Sequence, residues 1–329
     1  MITITFKNVD QGDSIVITWD KDGEPYFGII DCNITRTGNP VLNYLKQNSI
    51  TKIEFILLTH FHYDHFSGMA DIFEYCINNT IRPKFFFHTI AGLTFEIYNR
   101  IFTSQKIQQA VVRFIEKYEV FSDYVVEDVP VHCFLQKFSL NEEITLSFLA
   151  PKGNIYKEMT KKLARKVNKL ATTSGDINKF STIVCIKKND ECYLLTSDAV
   201  KGSFRSIFSK INEEKKVLLV QVPHHGSIAN IAPEFWQSIN KIKNCPSVFS
   251  VGDEPKDKLP DVQTVEFFNN NGFEVYATNS VYGINEYFKV QPTSTLNSKI
   301  ACLNIFSVSR NVISNCVNNK YSGDQVFTF

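Results

Sequence analysis

The sequence lacks the features that mark secreted, membrane-spanning or zinc-finger proteins. None of its eight cysteines belongs to a Cys-x-x-Cys pair, and their mostly apolar neighbours indicate reduced core thiols rather than a disulfide framework. No apolar stretch approaches the roughly 20 residues that a helix needs to span a bilayer. The first residues, Met1–Phe6, alternate as a strand does and carry no signal-peptide pattern. We therefore expect a soluble, cytoplasmic protein that does not insert into membranes.

Excess charge of either sign is also absent. The chain has 35 Lys and Arg against 34 Asp and Glu, so its formal net charge is +1. No global field therefore draws it towards nucleic acid or a membrane surface, and any such attraction must be local. By contrast, 43% of the 329 residues are hydrophobic, 28 of them Phe, which is ample for one large core or two ordinary ones.

Histidine is scarce, yet five of the seven histidines fall in two short segments. Three lie in His60-Phe-His-Tyr-Asp-His65, directly after an apolar run that predicts a buried strand, and two form the pair His224-His225. Residues two apart in an extended segment point to the same side, so this one loop can supply ligands to two neighbouring ions. Its candidate metal ligands are His60, His62, Asp64 and His65.

Two other apolar strands end in residues of the same chemistry. Residues 192–196 lead to Asp198, and residues 217–222 lead to His224 and His225. We expect all three strand ends to converge at one sheet edge, with Asp198 bridging two divalent ions, zinc or manganese. Such a pair would lower the pKa of a shared water to give hydroxide at neutral pH. One of the two adjacent histidines would ligate, and the other could donate a hydrogen bond to the substrate.

Supporting residues are also suggested by the pattern. Asp31 ends the strand predicted over residues 26–31, where its carboxylate could orient a ligating histidine. Asp10 and Asp13 lie in a turn around Gly12 and are either ordinary turn residues or supports of the site. The candidate catalytic residues are Asp64, His224 and His225.

The order of predicted elements is strand, helix, strand, loop, helix, which indicates a layered α/β fold. Helices are predicted over residues 41–47, 67–78, 105–118, 233–243 and 262–270, and a short strand over 131–134. We assign residues 1–290 to one metallohydrolase domain. Residues 291–329, richer in Ser, Asn and Thr, form an appended segment whose apolar clusters suggest that it packs on the body.

One predicted helix, over residues 155–171, is strongly basic. Its cations recur every four residues, which aligns them on one face: Lys157, Lys161, Arg165 and Lys169. This stripe could contact the phosphates of a nucleic acid, or it could be an ordinary solvated face.

The His-x-His-x-Asp-His segment resembles the signature of the metallo-β-lactamase superfamily. A closer resemblance is to the soluble metallohydrolase domain of ComEC-type competence proteins, through Gln11-Gly-Asp-Ser14, Leu194-Leu-Thr-Ser-Asp-Ala199 and Val222-Pro-His-His-Gly-Ser227. The resemblance spans roughly residues 1–288. It implies a four-layered αββα sandwich and a hydrolase, with nuclease or other phosphodiesterase activity expected.

The chain departs from that pattern at four positions. Asn178 stands where many members carry a further histidine ligand, so the ion bound by His60 and His62 would be the weaker one. Ser197 and Asp10 replace glycines, and Leu259 precedes Pro260 where a histidine is frequent. Asn178 is therefore a candidate substrate-contacting residue, together with the cations of the basic helix.

Three interpretations remain open from the sequence. The first is a two-metal phosphodiesterase that acts on nucleic acid. The second is a hydrolase of a small ester, amide or nucleotide. The third is a binding or regulatory module with a partly decayed site. The oligomeric state does not follow from the sequence.

Overall fold

The computed structural model describes residues 1–90, 102, 104–131, 137–167, 174–212, 216–254, 258–288 and 323–329. In this part of the chain two seven-stranded sheets face each other and helices cover both outer faces. The predicted four-layered αββα sandwich is therefore confirmed. No helix among these residues is both long enough and apolar enough to cross a membrane.

The first sheet contains β1 to β6 and the last strand, β14. Its order is β14-β1-β2-β3-β4-β5-β6; the pairs up to β3 are antiparallel and those from β3 to β6 parallel. The strands are β1 (Ile2–Phe6), β2 (Ile15–Lys21), β3 (Glu24–Ile30), β4 (Ile53–Leu58), β5 (Phe85–His88), β6 (Glu127–Pro130) and β14 (Gln325–Thr328).

The second sheet repeats this arrangement, with antiparallel pairs from β7 to β10 and parallel pairs from β10 to β13. Its order is β13-β12-β11-β10-β9-β8-β7. The strands are β7 (Lys137–Ser139), β8 (Ile144–Ala150), β9 (Ile183–Lys188), β10 (Glu191–Leu195), β11 (Lys216–Gln221), β12 (Cys245–Phe249) and β13 (Phe273–Ala277).

The helices form the two outer layers. Over the first sheet lie α1 (Pro40–Gln47), α2 (Tyr63–Phe66), α3 (Met69–Asn78) and α4 (Gln105–Tyr124), and at its end α5 (Gly153–Val167) and a 3₁₀ helix (Ser174–Phe180). Over the second sheet lie α6 (Lys201–Asn212), α7 (Pro233–Ser238), α8 (Val262–Asn270) and α9 (Tyr282–Tyr287).

Strand β4 shows why the sheets stack in this way. All six of its residues are buried, as expected for a central parallel strand covered on both faces. Ile56 and Leu58 face the helices, whereas Phe55 and Leu57 face the second sheet. This alternation places the carboxyl end of β4, and the histidine loop after it, at the rim between the two sheets.

Several predicted boundaries were wrong. Helix α4 continues to Tyr124 rather than ending at residue 118, because Phe121 extends its buried stripe. Helix α7 ends at Ser238 instead of 243, since Ile239 adopts an extended backbone. The strand expected at 131–134 falls almost wholly on residues 132–136, which are outside the described part, and the described strand β6 ends before it at Pro130.

The C-terminal segment is described only at its end. Strand β14 pairs antiparallel with β1, and the Phe327 and Phe329 side chains pack in the core between the sheets. Residues 289–322 lie outside the described part, so the assignment of 291–329 as an appended segment stays a prediction.

Candidate metal centre

The predicted ligands meet where strands of both sheets end. The His60–His65 loop follows β4 of the first sheet, whereas Asp198 and the histidine pair follow β10 and β11 of the second. The prediction that these ends converge therefore holds, but they come from two facing sheets and not from one sheet edge. In each sheet these ends belong to the first parallel pair of strands, β3 and β4 in one sheet and β10 and β11 in the other.

One group of ligand atoms, which we call the second cluster, consists of Asp64, His65, Asp198 and His225, all within 4.8 Å of one another. His225 Nε2 lies 3.2 Å from Asp64 Oδ2 and 3.5 Å from Asp198 Oδ1, and His65 Nε2 lies 3.5 Å from the same Asp198 oxygen. A tetrahedral ion with ligands at 2.0–2.1 Å separates them by about 3.3 Å. The cluster therefore has the dimensions of a metal site.

A neighbouring group, the first cluster, consists of His60, His62 and Asp198. His60 Nε2 lies 3.0 Å from His62 Nδ1 and 3.6 Å from Asp198 Oδ2. Because Asp198 presents Oδ1 to the second cluster and Oδ2 to the first, it occupies the bridging position expected from the sequence.

The ring nitrogens that face away from the second cluster are held by acceptors. His65 Nδ1 lies 2.7 Å from Asp31 Oδ2, and His225 Nδ1 lies 2.8 Å from the carbonyl oxygen of Ser250. A carboxylate or carbonyl can only accept, so both Nδ1 atoms carry the proton and both Nε2 atoms face the cluster. The prediction that Asp31 orients a candidate ligand is thus confirmed.

Two buried atoms of the second cluster have no hydrogen-bond partner, namely His65 Nε2 and Asp198 Oδ1. Buried polar atoms are nearly always paired, so such atoms call for an explanation. A divalent cation bound between them would satisfy both. The donor set of imidazoles and carboxylates therefore fits the divalent ions that the sequence predicts.

A hydroxyl chain links the two clusters behind the ligands. Thr59 Oγ1 donates to Asp31 Oδ2 at 2.6 Å and lies 2.7 Å from Ser197 Oγ. Both hydroxyl oxygens lie 3.3 Å from His60 Nδ1. With the Thr59 proton directed at the carboxylate, the Ser197 proton can serve Thr59, which leaves both oxygens to accept from His60. His60 Nε2 then faces Asp198 as an acceptor.

The neighbouring carboxylates strongly shift the pKa values of the histidines in the second cluster. Burial alone would lower the pKa of His225, but Asp198, Asp64 and Asp13 raise it to about 10. Burial likewise opposes a charge on His65, yet Asp198, Asp64 and Asp31 hold its pKa well above the ordinary value. At neutral pH the second cluster therefore carries protons where a cation would bind.

The pKa values of three other groups in the site also shift because of their immediate surroundings. Burial and the neighbouring His65 lower the pKa of His60 well below its usual range. Burial would raise the pKa of Asp198, but His224, His65 and His225 hold it well below the ordinary value. Burial raises the pKa of Asp31 to about 6, although His65 opposes the shift.

The adjacent histidines occupy different positions. His225 is buried and belongs to the second cluster, whereas the side chain of His224 is 29% exposed and lies at the rim. His224 Nε2 lies 3.6 Å from Asp198 Oδ2 and 3.4 Å from Asn178 Nδ2. The structure thus brings Asn178 to the edge of the centre, where the resemblance placed a further histidine.

Backbone strain concentrates around these residues. His224 and His225 have φ of 49° and 54°, and Ser197 and Asp31 have φ of 46° and 56°. Non-glycine residues rarely adopt this left-handed region, and they persist there only where the surroundings hold them. Ser197 and Asp10, two positions where the related pattern has glycine, both have positive φ. Glycine would adopt this backbone conformation without strain.

Sequence reasoning missed Gln221. Its buried side chain donates from Nε2 to Asp13 Oδ2 at 2.8 Å and accepts from the backbone N–H groups of Thr196 and Ser197, both at 3.0 Å. It therefore ties the loop after β1 to the turn that carries Asp198. Residues 217–222 have the pattern of an apolar strand, and the lone amide among them is the signal that could have revealed this role.

The basic helix begins at Gly153 and continues to Val167 as α5. Tyr156 fixes it near the centre, since its hydroxyl donates to the carbonyl of Thr89 and its ring packs on Phe180 of the 3₁₀ helix. Lys157 and Lys161 are exposed. Arg165 belongs to the same helix, and Lys169 lies outside the described residues.

Two facing mixed sheets between helical layers, with a histidine and aspartate centre at their rim, define a metallo-β-lactamase fold. Residues 8–133 match the family model described as the metallo-beta-lactamase superfamily. The match includes the whole His60–His65 loop. The superfamily consists mostly of metal-dependent hydrolases. No curated protein matches the chain.

Solved structures of low sequence identity resemble the chain. A diphosphatase from the PhnP family is 13% identical, with a TM-score of 0.43, 84% of this chain and 94% of that one being covered. The metallo-beta-lactamase fold protein YhfI from Bacillus subtilis is 10% identical, with a TM-score of 0.45 and coverages of 86% and 98%. A long form RNase Z from yeast is 10% identical, with a TM-score of 0.38 and coverages of 79% and 38%.

Proposed function

We propose that this protein is a metal-dependent hydrolase that binds two divalent ions, zinc or manganese, one in each cluster. The observation that carries the proposal is the pair of donor groups sharing Asp198, in which His65 Nε2 and Asp198 Oδ1 are buried without a hydrogen-bond partner. Mixed imidazole and carboxylate donors suit borderline cations.

The reaction would rely on the ions for charge stabilisation. Two adjacent divalent ions stabilise the charge on the attacking and leaving oxygens and make water acidic enough to react near pH 7. Asp64 is the donor of the second cluster that solvent reaches most easily, with 31% of its side chain exposed. Its carboxylate can therefore orient an entering water and accept its hydrogen bond.

Phosphodiesters, including those of nucleic acid, are the substrate class we favour. The resemblance to ComEC-type metallohydrolase domains supports this choice, and so do the exposed Lys157 and Lys161 on α5. Cations four residues apart on a helix are separated by about 6 Å along its axis, close to the spacing of successive phosphates in a flexible strand. The near-zero net charge would equally suit a small ester, amide or nucleotide.

The first experiment measures metal content and hydrolysis together. Purified protein incubated with excess zinc or manganese should retain one to two ions per chain and hydrolyse a chromogenic phosphodiester. Asp64→Ala should abolish turnover without unfolding the protein, whereas Asp190→Ala, in the exposed turn between β9 and β10, should not change it. Protein without retained metal would refute the proposal.

A second experiment separates nucleic acid from small substrates. The double variant Lys157→Gln with Lys161→Gln should bind single-stranded nucleic acid more weakly and flatten the slope of log affinity against log salt by about 0.7 for each lost phosphate contact. Hydrolysis of the chromogenic ester should be unchanged. Lys46→Gln with Lys84→Gln is the control, because both lysines are exposed and Lys84 lies at the opposite end of β5 from the centre. An unchanged slope would favour the small-substrate alternative.

A further inference from the structure

The first cluster has fewer ligands than the second. It consists of His60, His62 and one oxygen of the shared Asp198, whereas the second cluster has four donors. Asn178 offers no imidazole at the rim of this group. An ion in the first cluster would therefore be held weakly unless another side chain joins it.

His224 is placed to be that side chain. Its Nε2 lies 3.6 Å from Asp198 Oδ2, the same distance that separates His60 Nε2 from this oxygen. His225 Nε2 stands in a similar relation to the other oxygen, Asp198 Oδ1, at 3.5 Å. Each oxygen of the bridging carboxylate is thus faced by one member of the adjacent histidine pair.

The hydrogen bonds of Asn230 set the tautomer of neutral His224. Asn230 Nδ2 donates to the carbonyl of Ala199 at 3.0 Å, so its Oδ1, 2.9 Å from His224 Nδ1, must accept from that nitrogen. The proton of neutral His224 then sits on Nδ1, and Nε2 is left with a lone pair. This lone pair lies 3.6 Å from Asp198 Oδ2 and accepts a long hydrogen bond from Asn178 Nδ2 at 3.4 Å, which a cation entering between the imidazole and the carboxylate would replace.

We propose that His224 supplies the third imidazole ligand of the first cluster, so that His224 and His225 bind different ions. The inference rests on the proposed metal centre and deepens it. His224 lies outside the three-residue group whose ligand atoms are all within 4.8 Å, so its ring must turn towards His60 and His62 as the ion enters. Its 29% exposure leaves space for that movement.

Asn178 then has a supporting role. Its Nδ2 lies 3.4 Å from His224 Nε2, so an imidazole at residue 178 would reach the region that the His224 ring reaches. The two positions are therefore alternative sources of one ligand. This relation gives the proposal a rescue test that a substrate-binding role for His224 would not pass.

The test compares two variants by metal titration against a competing chelator. His224→Asn and His225→Asn both remove one imidazole, and asparagine tolerates the left-handed backbone at these positions. We expect His224→Asn to weaken the binding of one ion by about tenfold or more and to leave the binding of the other unchanged. His225→Asn should weaken the other ion instead. Circular dichroism of the metal-free variants checks that both remain folded.

The rescue variant completes the experiment. Adding Asn178→His to His224→Asn should restore the lost affinity, measured with zinc alone and without substrate. If His224→Asn binds both ions as the wild type does, His224 is not a ligand and the inference is wrong. If the wild-type protein retains no ion, the proposed metal centre itself fails, which is a separate result.

Discussion

Replacing Asp31 by asparagine should test how the second cluster holds its metal. Asp31 accepts three hydrogen bonds: from the backbone N–H of Thr59 at 2.8 Å, from the Thr59 hydroxyl at 2.6 Å and from His65 Nδ1 at 2.7 Å. Asparagine has the same shape and tolerates the φ of 56° at this position. The substitution therefore changes the hydrogen bonding without forcing the backbone to move.

The expected loss of metal affinity follows from which hydrogen-bond donors can move their proton. The backbone N–H of Thr59 cannot shift its proton, so in the Asp31→Asn variant the amide oxygen stays with that N–H and the NH₂ group faces His65. His65 must then accept at Nδ1 and place its proton on Nε2, which removes the lone pair from the metal. Losing such a supporting partner costs about 10- to 100-fold in metal affinity, equivalent to about 1.4–2.7 kcal/mol.

The assay is a zinc titration against a chelator with Asp13→Asn as the matched control. Asp13 is an equally buried aspartate, but its nearest oxygen lies 3.8 Å from His65 Nδ1. We expect Asp31→Asn to weaken the second cluster and Asp13→Asn to have a smaller effect. Equal losses in both variants, or an unchanged affinity in Asp31→Asn, would refute the role of the hydrogen bond.

Two further predictions concern protons and strain. Because neighbouring carboxylates raise the pKa values of His65 and His225, the latter to about 10, an ion that enters the second cluster at pH 7 should displace protons, and the competition between ion and protons should weaken as the pH rises towards 10. Calorimetry in buffers of different ionisation enthalpy should show fewer protons released at the first cluster, where the pKa of His60 is lowered; equal counts would contradict this. Ser197→Gly and Ser197→Ala both lose the hydroxyl near His60, but only glycine relieves the positive φ. Denaturant unfolding should therefore find the glycine variant more stable by about 1 kcal/mol, and equal stabilities would show that residue 197 is unstrained.

Much of the fold, and most of the candidate ligands, could be predicted from local sequence patterns. The apolar run of β4 and the His60–His65 loop were visible because a buried strand and a ligand loop are both short-range features. The role of Asp31 also followed from its place at a strand end. These inferences need only the spacing of apolar residues along the chain and the chemistry of adjacent side chains.

Other features depend on contacts between distant segments. His60 and Asp198 are far apart in the chain, and no local pattern shows that they come from two facing sheets. Gln221 looks like an isolated polar residue until its contacts with Asp13 and Ser197 are known. Likewise, only the folded structure shows that His225 is buried and that His224 lies at the rim.

The candidate ligands come from both sheets, so a bound ion would also affect the stability of the fold. Asp198 belongs to the second sheet, but in both clusters its partners include histidines of the loop that follows β4 in the first. An ion bound there would add a cross-link between halves of the sandwich that are also joined by apolar packing and by hydrogen bonds such as that from Gln221 to Asp13. Binding to the folded chain alone would add about 2.7 kcal/mol to the unfolding free energy when the free ion is at 100 times its dissociation constant. Metal supply would then govern how firmly the two halves stay together, and with it the lifetime of the folded protein.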